Sequence, residues 1–589
     1  MRRHSLRLEH LARAGKPSRC AASSVRPITA LRLQPLKSCS CTCYRQHRFF
    51  SAGPAEASET GRFNSAFGAG TNDTIYALST AQGKAGIAVI RISGPSCLDV
   101  YRALCPSKAL PKPRYASVRS LFDPQHSGSH RGVLDSEALV LFFPSPKTVT
   151  GEDVLELHIH GGPATIKAVL AAIPQCPSKS RIRYAEPGEF TKRAFLNDRL
   201  DLARVESLGD ILSAETEQQR RAAVRGNSGA LARTYESWRE ELLLARGEIE
   251  ALIDFSEDQH FDESPTDLLH NVAKLVDNIL RGIHLHEQGG QRSELLRSGI
   301  RIALLGPPNV GKSSLMNLIV GREASIVSGE AGTTRDIVEA SLDIRGYLCS
   351  FADTAGFRSS DPLGPSGPVG AIELEGIRRA KQKAQESDIV VVLASVESGP
   401  SGPFILYDQE TLDIAAAAEA QLIVINKRDV AEPREFALLV DKFRQRLGEK
   451  DPRLASVQLA AVSCKEASLT SSSAARNKDP GGIHALTEAL VSTFSQMTEM
   501  PVDLQDLLGV TARQAQLLAR CRAHLEDFMA EARPEEGEDH HPGVEADAVL
   551  AAEFLRYAAD CLARITGKGE AGDVEDVLGV VFEKFCVGK

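Results

Sequence analysis

Residues Leu304-Leu305-Gly306-Pro307-Pro308-Asn309-Val310-Gly311-Lys312-Ser313-Ser314-Leu315 decide how this 589-residue chain is read. Gly306, four residues and then Gly311-Lys312-Ser313 make the Walker A spacing. An apolar run, Ile300 to Leu305, broken only by Arg301, leads in as a strand. Leu315, Leu318 and Ile319, at i, i+3 and i+4, lead out as a helix. Glycines let the backbone wrap a phosphate, and the N–H groups of the helix N-terminus point at it. Lys312 is then placed to reach the β- and γ-phosphates, and Ser313 to ligate Mg²⁺.

Further motifs follow in order: Thr333-Thr334, Asp353-Thr354-Ala355-Gly356, Asn426-Lys427-Arg428-Asp429 and Ser463-Cys464-Lys465. Strand-like runs, Tyr347 to Phe351, Leu422 to Ile425 and Val457 to Val462, lead into the last three. Together they are the motif set of a Ras-like GTPase domain. Thr334 can place its hydroxyl on Mg²⁺, Asp353 supports the ion from a strand end, and the Gly356 N–H meets the γ-phosphate. A carboxylate such as Asp429 accepts from both guanine N1 and the exocyclic amine, a pair adenine lacks, so GTP is the expected nucleotide. The expected contacts are Asn309, Val310, Gly311, Lys312, Ser313, Ser314, Ser328, Thr333, Thr334, Asp353 to Gly356, Asn426, Lys427, Asp429, Ser463, Cys464 and Lys465. Phe357 stands after Gly356, where Ras-like proteins carry a glutamine, so another group must position the attacking water. Asn309 and the loop Gly332-Thr333-Thr334-Arg335-Asp336 resemble the potassium-stimulated GTPases, in which K⁺ sits where an arginine finger would act.

Composition sets the frame. Hydrophobic residues at 42% and charged residues at 25% fit a folded globular chain of about three to four domains. No run reaches the roughly 18 apolar residues of a membrane span. The first 50 residues hold eleven Lys or Arg against one acid, Glu9, and end Arg48-Phe49-Phe50-Ser51, a mitochondrial transit-peptide composition. A disordered basic tail is the alternative. Without that segment the body has 58 basic and 76 acidic residues, a net charge of −18, so a nucleic-acid partner must find a local basic patch. Of twelve cysteines, four lie in the first 50 residues and the rest are scattered, which reads as reduced thiols.

The period of the apolar residues divides the body. Thr74 to Leu78, Ala85 to Ser93, Ala138 to Phe143 and Val154 to Ile159 read as strands and Pro163 to Ile173 as a helix, giving an α/β domain. Helical period then takes over, with Leu202, Val205, Leu208 and Leu212 on one face and Leu231, Tyr235, Trp238, Leu242, Ile249 and Leu252 on another. It returns after the nucleotide domain with Leu518, Cys521, Leu525 and Phe528, then Leu550, Phe554, Tyr557, Cys561 and Ile565. The expected architecture is multidomain, α/β plus all-α: one helical bundle with the P-loop domain inserted. The expected boundaries are presequence 1–50, linker 51–72, N-terminal α/β domain 73–192, helical part 193–298, GTPase domain 299–497 and helical part 498–589. Residues 534–546 read as a solvated acidic loop.

From Asp73 onward the chain resembles the MnmE (TrmE) family of tRNA uridine-modification GTPases in its mitochondrial form. The resemblance rests on Ile90-Arg91-Ile92-Ser93-Gly94-Pro95, Thr150-Gly151-Glu152-Asp153-Val154-Leu155-Glu156-Leu157, His160-Gly161-Gly162-Pro163, Pro187-Gly188-Glu189-Phe190-Thr191, Ala194 to Leu202 and the terminal Cys586-Val587-Gly588-Lys589. It implies a matrix homodimer joined through the N-terminal domains, which bind a tetrahydrofolate derivative. With an FAD- and NADH-using partner, the family modifies C5 of the wobble uridine (position 34) of certain tRNAs. By position Arg91, Glu156, Arg199 and Lys589 correspond to the folate contacts, with Arg199 in place of the expected lysine. The K⁺ ligands would be Asn309, the carbonyls of Ser328 and Glu330, and Thr333. Glu373 matches the glutamate that orients water, with Glu375 as its rival across a long Gly- and Pro-rich segment.

Lys312, Glu373 and Cys586 are the catalytic candidates. On residue type alone Cys586 reads as a small buried core residue and the folate contacts as surface ion pairs; the resemblance instead makes Cys586 a thiol beside the folate and the others its contacts. Two other functions compete: a regulatory mitochondrial GTPase of ribosome assembly, and a folate enzyme with a vestigial nucleotide domain. The N-terminal motifs and the terminus oppose the first, and the intact Lys312, Ser313, Thr334 and Asp429 oppose the second.

Overall fold

The computed structural model describes residues 72–126, 132–255, 265–326, 341–352, 382, 384–400, 402–469, 479, 481–532, 547–569 and 588. The expected presequence and the acidic loop lie outside these residues, as does the linker up to residue 71.

Alternation builds the first sheet. Its strands are β1 (Thr74–Leu78), β2 (Ile87–Ser93), β3 (Ser117–Phe122), β4 (Val133–Phe143), β5 (Val154–His160) and β6 (Ile182–Tyr184), ordered β3-β4-β5-β2-β1-β6. Only β1 and β6 pair in parallel. Ile90, Ile92, Val140, Leu155, Leu157 and Ile159 are buried on one face under α1 (Cys97–Leu104) and α2 (Pro163–Ala172). The other face is partly polar. There Arg91 lies opposite Glu156, Val89 opposite His158 and Ile87 opposite His160.

A buried ionic knot ties this sheet to α3 (Glu189–Leu196). Arg193, 5% exposed, donates to Asp73 at 2.7 Å, to Glu152 at 3.1 Å and to Glu189 at 3.1 Å. Arg183 bonds Asp73 and Glu189 from the other side. Burial opposes ionisation of Asp73 and Glu189, but the hydrogen bonds and charges of the two arginines outweigh it and hold both carboxyls below their usual range.

The helical bundle comes from both ends of the remaining chain. Before the nucleotide domain run α4 (Leu202–Ser213), α5 (Glu217–Gly226), α6 (Ala230–Phe255) and α7 (Pro265–Ser298). Asp201 caps α4, and Thr216 with Gln219 forms a capping box on α5.

After Gly299, whose φ is 85°, β7 (Ile300–Leu305) starts the second sheet. In chain order there follow α8 (Lys312–Arg322), β8 (Ala324–Ile326), β9 (Ser341–Ile344), β10 (Tyr347–Ala352), β11 (Ile389–Gly399), β12 (Gly402–Leu406), α9 (Gln409–Ala416), β13 (Gln421–Asn426), α10 (Pro433–Lys450), α11 (Pro452–Ala455), β14 (Leu459–Ala461), α12 (Cys464–Leu469) and α13 (Ile483–Thr498). The sheet order is β14-β13-β11-β7-β10-β9-β8, with β12 hanging on β11. Strands β14 to β10 of that order are parallel. Such a sheet binds ligands beyond the carboxyl ends of its strands.

A 3₁₀ segment, Val502–Gly509, returns the chain to the bundle, where α14 (Ala512–Ala532) and α15 (Ala548–Thr566) complete it. Helix α15 packs on α6 and α14, and α14 also packs on α7. The exit and the return are clamped together. Arg297 donates to the carbonyls of Val510 at 2.6 Å and Gly509 at 3.0 Å and pairs with Asp210 at 2.8 Å.

Leu518, Cys521, Leu525 and Phe528 are fully buried, as their period predicts. Two faces differ from expectation. Leu212 is exposed at the end of α4, and Leu550 and Tyr557 are exposed on α15. Cys561 and Ile565 of the expected face are buried, but the rest of the buried face of α15 is turned by one residue, to Ala551, Leu555, Ala558 and Leu562. Alanines there let the backbone approach α6 and α14 closely, a preference that a search for large apolar residues misses. All seven cysteines among the described residues are free. No helix among those residues is long and apolar enough to cross a membrane.

The knot yields a stability prediction. Arg193→Met leaves Asp73 and Glu189 with Arg183 alone and takes from Glu152 its arginine, and should destabilise the N-terminal sheet by about 3–5 kcal/mol. The measurement is the urea dependence of amide hydrogen exchange in β1 and β5. Because the folded pKa values of Asp73 and Glu189 lie below their unfolded ones, the wild-type knot contributes fully above about pH 5 and loses its contribution as pH falls below about 4. An unchanged exchange profile in the variant would show that the knot adds nothing.

Candidate functional site

The nucleotide site is built at the carboxyl ends of β7, β11 and β13. After β7 the backbone turns through Gly306, φ 148°, and enters α8 at Gly311, φ 97°. Side chains are excluded at both points. A Cβ on Gly306 would lie 2.2 Å from the Leu393 carbonyl oxygen, and one on Gly311 would lie 2.3 Å from Asn426 Nδ2. Between them Asn309 takes a φ of 63°, a conformation asparagine tolerates better than most residues, and is exposed. Val310 is buried beneath the loop.

Lys312, first residue of α8, donates from Nζ to the carbonyls of Gly306 at 2.7 Å and Pro307 at 2.8 Å. Burial holds its pKa below the usual lysine value. Its ammonium is thus folded onto the loop where phosphate oxygens would be cradled. Ser313 and Ser314 follow in the first turn of α8.

Asn426, 1% exposed at the end of β13, joins this loop to the second half of the site. Its Nδ2 donates to the Val310 carbonyl at 2.8 Å, and its Oδ1 accepts from the Cys464 N–H at 3.2 Å. Ser463 donates from Oγ to Asp429 Oδ1 at 2.6 Å, leaving the other carboxylate oxygen for a base. Burial pushes the Cys464 thiol up to about 11, so it is no nucleophile at neutral pH. The structure therefore brings together Asn309 to Ser314, Asn426, Lys427, Asp429, Ser463, Cys464 and Lys465.

One residue here has no motif to announce it. Glu397, near the end of β11, accepts from Lys427 Nζ at 2.5 Å and from the buried Ser395 Oγ at 2.7 Å. The Lys427 hydrogen bond outweighs burial, which acts the other way, and holds the Glu397 carboxyl below its usual range.

Ser328, Glu330, Thr333, Thr334, Asp353, Thr354, Ala355, Gly356, Glu373, Cys586 and Lys589 lie outside the described residues. Of the four expected K⁺ ligands, Asn309 alone is placed, and of the two for Mg²⁺, Ser313 alone.

In the N-terminal sheet Arg91 Nε meets Glu156 Oε1 at 3.0 Å, directly across β2 and β5, and His158 Nε2 lies 3.4 Å from Glu156 Oε2. The Arg91 guanidinium sits 5.9 Å from the centre of the Phe190 ring. Arg199 stands on the loop after α3, its Nε donating to the Thr148 carbonyl at 3.1 Å. Gly588 docks on the end of β1, where Ser79 Oγ donates to its carbonyl at 2.9 Å. A Cβ on Gly588 would lie 2.1 Å from the Leu78 carbonyl oxygen, so the contact requires glycine. Since Ala77 pairs with Arg91, residue 588 reaches the same end of the sheet as Arg91.

Comparison with known proteins gives a consistent result. The model described as "GTP-binding protein TrmE N-terminus" matches residues 74–199, and that of the "MnmE helical domain" matches residues 202–586. A tRNA modification GTPase MnmE of Parvibaculum lavamentivorans is 41% identical over 522 residues, covering 88% of this chain and 100% of that protein. The mitochondrial 5-taurinomethyluridine-[tRNA] synthase subunit GTPB3 of Danio rerio is 36% identical, over 88% of this chain and 93% of its own length. The mitochondrial tRNA modification GTPase MSS1 of Saccharomyces cerevisiae is likewise 36% identical, over 88% and 93%.

The placement of Asp429 predicts a switch of base. In Asp429→Asn the side-chain amide offers a donor where guanine offers the 2-amino group, whereas xanthine carries an acceptor there. GTP affinity should fall by about 10²-fold or more, with XTP replacing it. Nucleotide titrations of the wild type and the variant test this, and unchanged GTP selectivity would remove Asp429 from the base site.

Proposed function

We propose, for a chain that belongs to the MnmE (TrmE) family of tRNA modification GTPases, that GTP hydrolysis by its central domain serves modification of wobble uridine 34 at C5 in mitochondrial tRNAs. The protein is a GTP hydrolase acting in tRNA modification. The observation that carries the reading is the bridge through Asn426. It holds a phosphate-shaped loop, with Lys312 at its centre, in fixed relation to a carboxylate, Asp429, suited to guanine. The chain order of the site is that of a GTPase domain set inside a helical bundle, and the relatives named for tRNA modification align along 88% of the chain.

The residues divide the work as follows. The loop N–H groups and Lys312 hold the β- and γ-phosphates, Asp429 selects the base, and Ser463 orients Asp429. Ser313 and Thr334 would hold Mg²⁺, which offsets phosphate charge when bound. Asn309, with Thr333 and the carbonyls of Ser328 and Glu330, is proposed to hold K⁺ at the phosphates. Glu373 is proposed to orient the attacking water.

In the N-terminal domain, Arg91, Glu156, Arg199 and Lys589 are proposed to bind a tetrahydrofolate derivative that supplies a one-carbon unit. The residues fit in part. The Arg91–Glu156 pair is half-buried and offers one donor group and one acceptor group side by side, which suits a heterocycle bearing both functions. Arg199 already spends Nε on Thr148 and would meet a carboxylate through its remaining N–H groups. Cys586, two residues before the docked Gly588, is proposed to act beside that ligand.

We further propose a homodimer, a separate FAD-using partner for the redox step and a mitochondrial matrix location. The last rests on the basic first 50 residues and on the mitochondrial relatives.

Mass spectrometry of mitochondrial tRNA tests the reading. Cells lacking the protein should lose the C5 substituent of uridine 34, and Cys586→Ser should not restore it while Cys586→Ser protein still hydrolyses GTP. Unchanged wobble nucleosides in the deletion would favour the ribosome-assembly alternative.

The Asn309 position gives a second prediction. Wild-type hydrolysis should run faster in K⁺ than in Na⁺, by about 10-fold or more if the ion replaces an arginine finger. Asn309→Ala should abolish the difference and spare nucleotide binding. Equal wild-type rates in the two salts would refute K⁺ involvement.

A further inference from the structure

The polar face of the first sheet carries a second titratable pair that the function above does not use. His160 ends β5 on the same face as Glu156 and His158, because side chains two apart on a strand share a face. Asp135, on β4, lies behind it with a side chain only 1% exposed. That carboxylate accepts from the backbone N–H of His160 at 2.8 Å, the backbone N–H of Glu137 at 3.0 Å and the His160 ring Nδ1 at 3.0 Å. The imidazole itself is 63% exposed, and among the described residues its Nε2 has no partner.

The backbone on either side is fixed. Gly161 donates to the Gly86 carbonyl at 3.3 Å and accepts from the Ala85 N–H at 3.1 Å. A Cβ on Gly161 would lie 2.5 Å from the Ala85 carbonyl oxygen. The ring is therefore an exposed group on a rigid strand end, held in one orientation.

A purely structural role accounts for only half of this. Asp135 staples β4 to β5 through the His160 backbone N–H, which any residue would supply. The ring buries little surface and is not needed for that staple. What the ring adds is chemical. An imidazole whose Nδ1–H is held by a carboxylate carries its lone pair on Nε2, and here that nitrogen is exposed and fixed in direction, able to take and return a proton. Asp135 stays ionised: burial opposes its charge, but the three hydrogen bonds outweigh burial and hold its pKa below the usual range.

The pair also lies where a ligand could meet it. Four residues along β5 separate Glu156 from His160, about 13 Å at roughly 3.3 Å per residue. Between them His158 is flanked by half-buried Val89 and Leu139, an apolar floor between two polar ends.

We propose that the Asp135–His160 pair is an acid–base site of the N-terminal domain, acting on an elongated nitrogenous ligand anchored at Arg91 and Glu156. It rests on the reading of that domain as a one-carbon site. Moving a one-carbon unit from a ring nitrogen to an acceptor amine requires the amine to lose a proton and the departing nitrogen to gain one. His160 Nε2 takes the first proton and returns it to the second nitrogen, so that protons balance and the imidazole ends as it began. Asp135 is the positioning residue, fixing the tautomer.

The test uses the full-length protein with its modification partner and tRNA. 5-Formyltetrahydrofolate serves as the binding probe, because N5 acylation protects the reduced ring from oxidation. In His160→Gln, wobble modification should fall by about 10²-fold or more, while GTP hydrolysis and probe affinity stay within about threefold. Asp135→Asn should lose modification as well while retaining the probe. An asparagine NH₂ donates to Nδ1 and drives the proton to Nε2, which the ¹⁵N shifts of the His160 ring report. A wild-type modification rate in His160→Gln overturns the proposal, and so does a modification loss fully matched by loss of probe affinity, which marks a binding contact only. If wild-type protein fails to bind the probe, the one-carbon reading falls and the acid–base proposal falls with it; if the probe binds and His160→Gln keeps the wild-type modification rate, the acid–base proposal alone falls.

Discussion

Everything at the nucleotide site depends on one buried amide. Asn426 gives its NH₂ to the Val310 carbonyl and its oxygen to the Cys464 N–H, so the phosphate loop and the base loops cannot move independently. The constraint reaches into the choice of residue at Gly311, because a β-carbon there would collide with that same amide. A buried amide left half-satisfied would cost about 1–3 kcal/mol. Both of its functions are used, and each joins segments more than thirty residues apart in sequence. Parallel strands make this possible by delivering the ends of β7, β11 and β13 to one edge, where their loops meet.

The same logic, charge held by short bonds at strand ends, recurs in the first sheet with a different outcome. Arg193 is enclosed by Asp73, Glu152 and Glu189, so its charge is spent within the fold. Arg91 and Glu156 pair once and stay half-exposed, and His160 spends one ring nitrogen while the other remains.

Much of this was legible in the sequence, for chemical reasons. A phosphate cradle requires glycine at fixed spacing, and guanine recognition requires a carboxylate after Asn-Lys, so Gly306 to Ser313 and Asn426 to Asp429 announce themselves without an alignment. Helix α14 was legible because its buried residues are large and regularly spaced. Helix α15 was legible as a helix but only partly in phase, since half of its buried residues are alanine. Strand β11 escaped notice although Ile389 to Val396 are all buried, because a strand covered on both faces shows no alternation. Glu397 and the Asp135–His160 pair were beyond reach, since nothing local in the sequence states which strands will be neighbours or where β4 is irregular beside β3.

The bundle closes only around the nucleotide domain. Helix α6 ends at Phe255 and its packing partner α15 begins at Ala548, so roughly 290 residues must be made between them. At about 5–20 residues per second, a ribosome needs on the order of 15–60 s to supply the partner. Throughout that interval the side of α6 that α15 will cover lacks its native partner, whereas the N-terminal sheet and the nucleotide sheet can each complete themselves as they emerge. The helical bundle is therefore the last part to mature and the first to be exposed to aggregation.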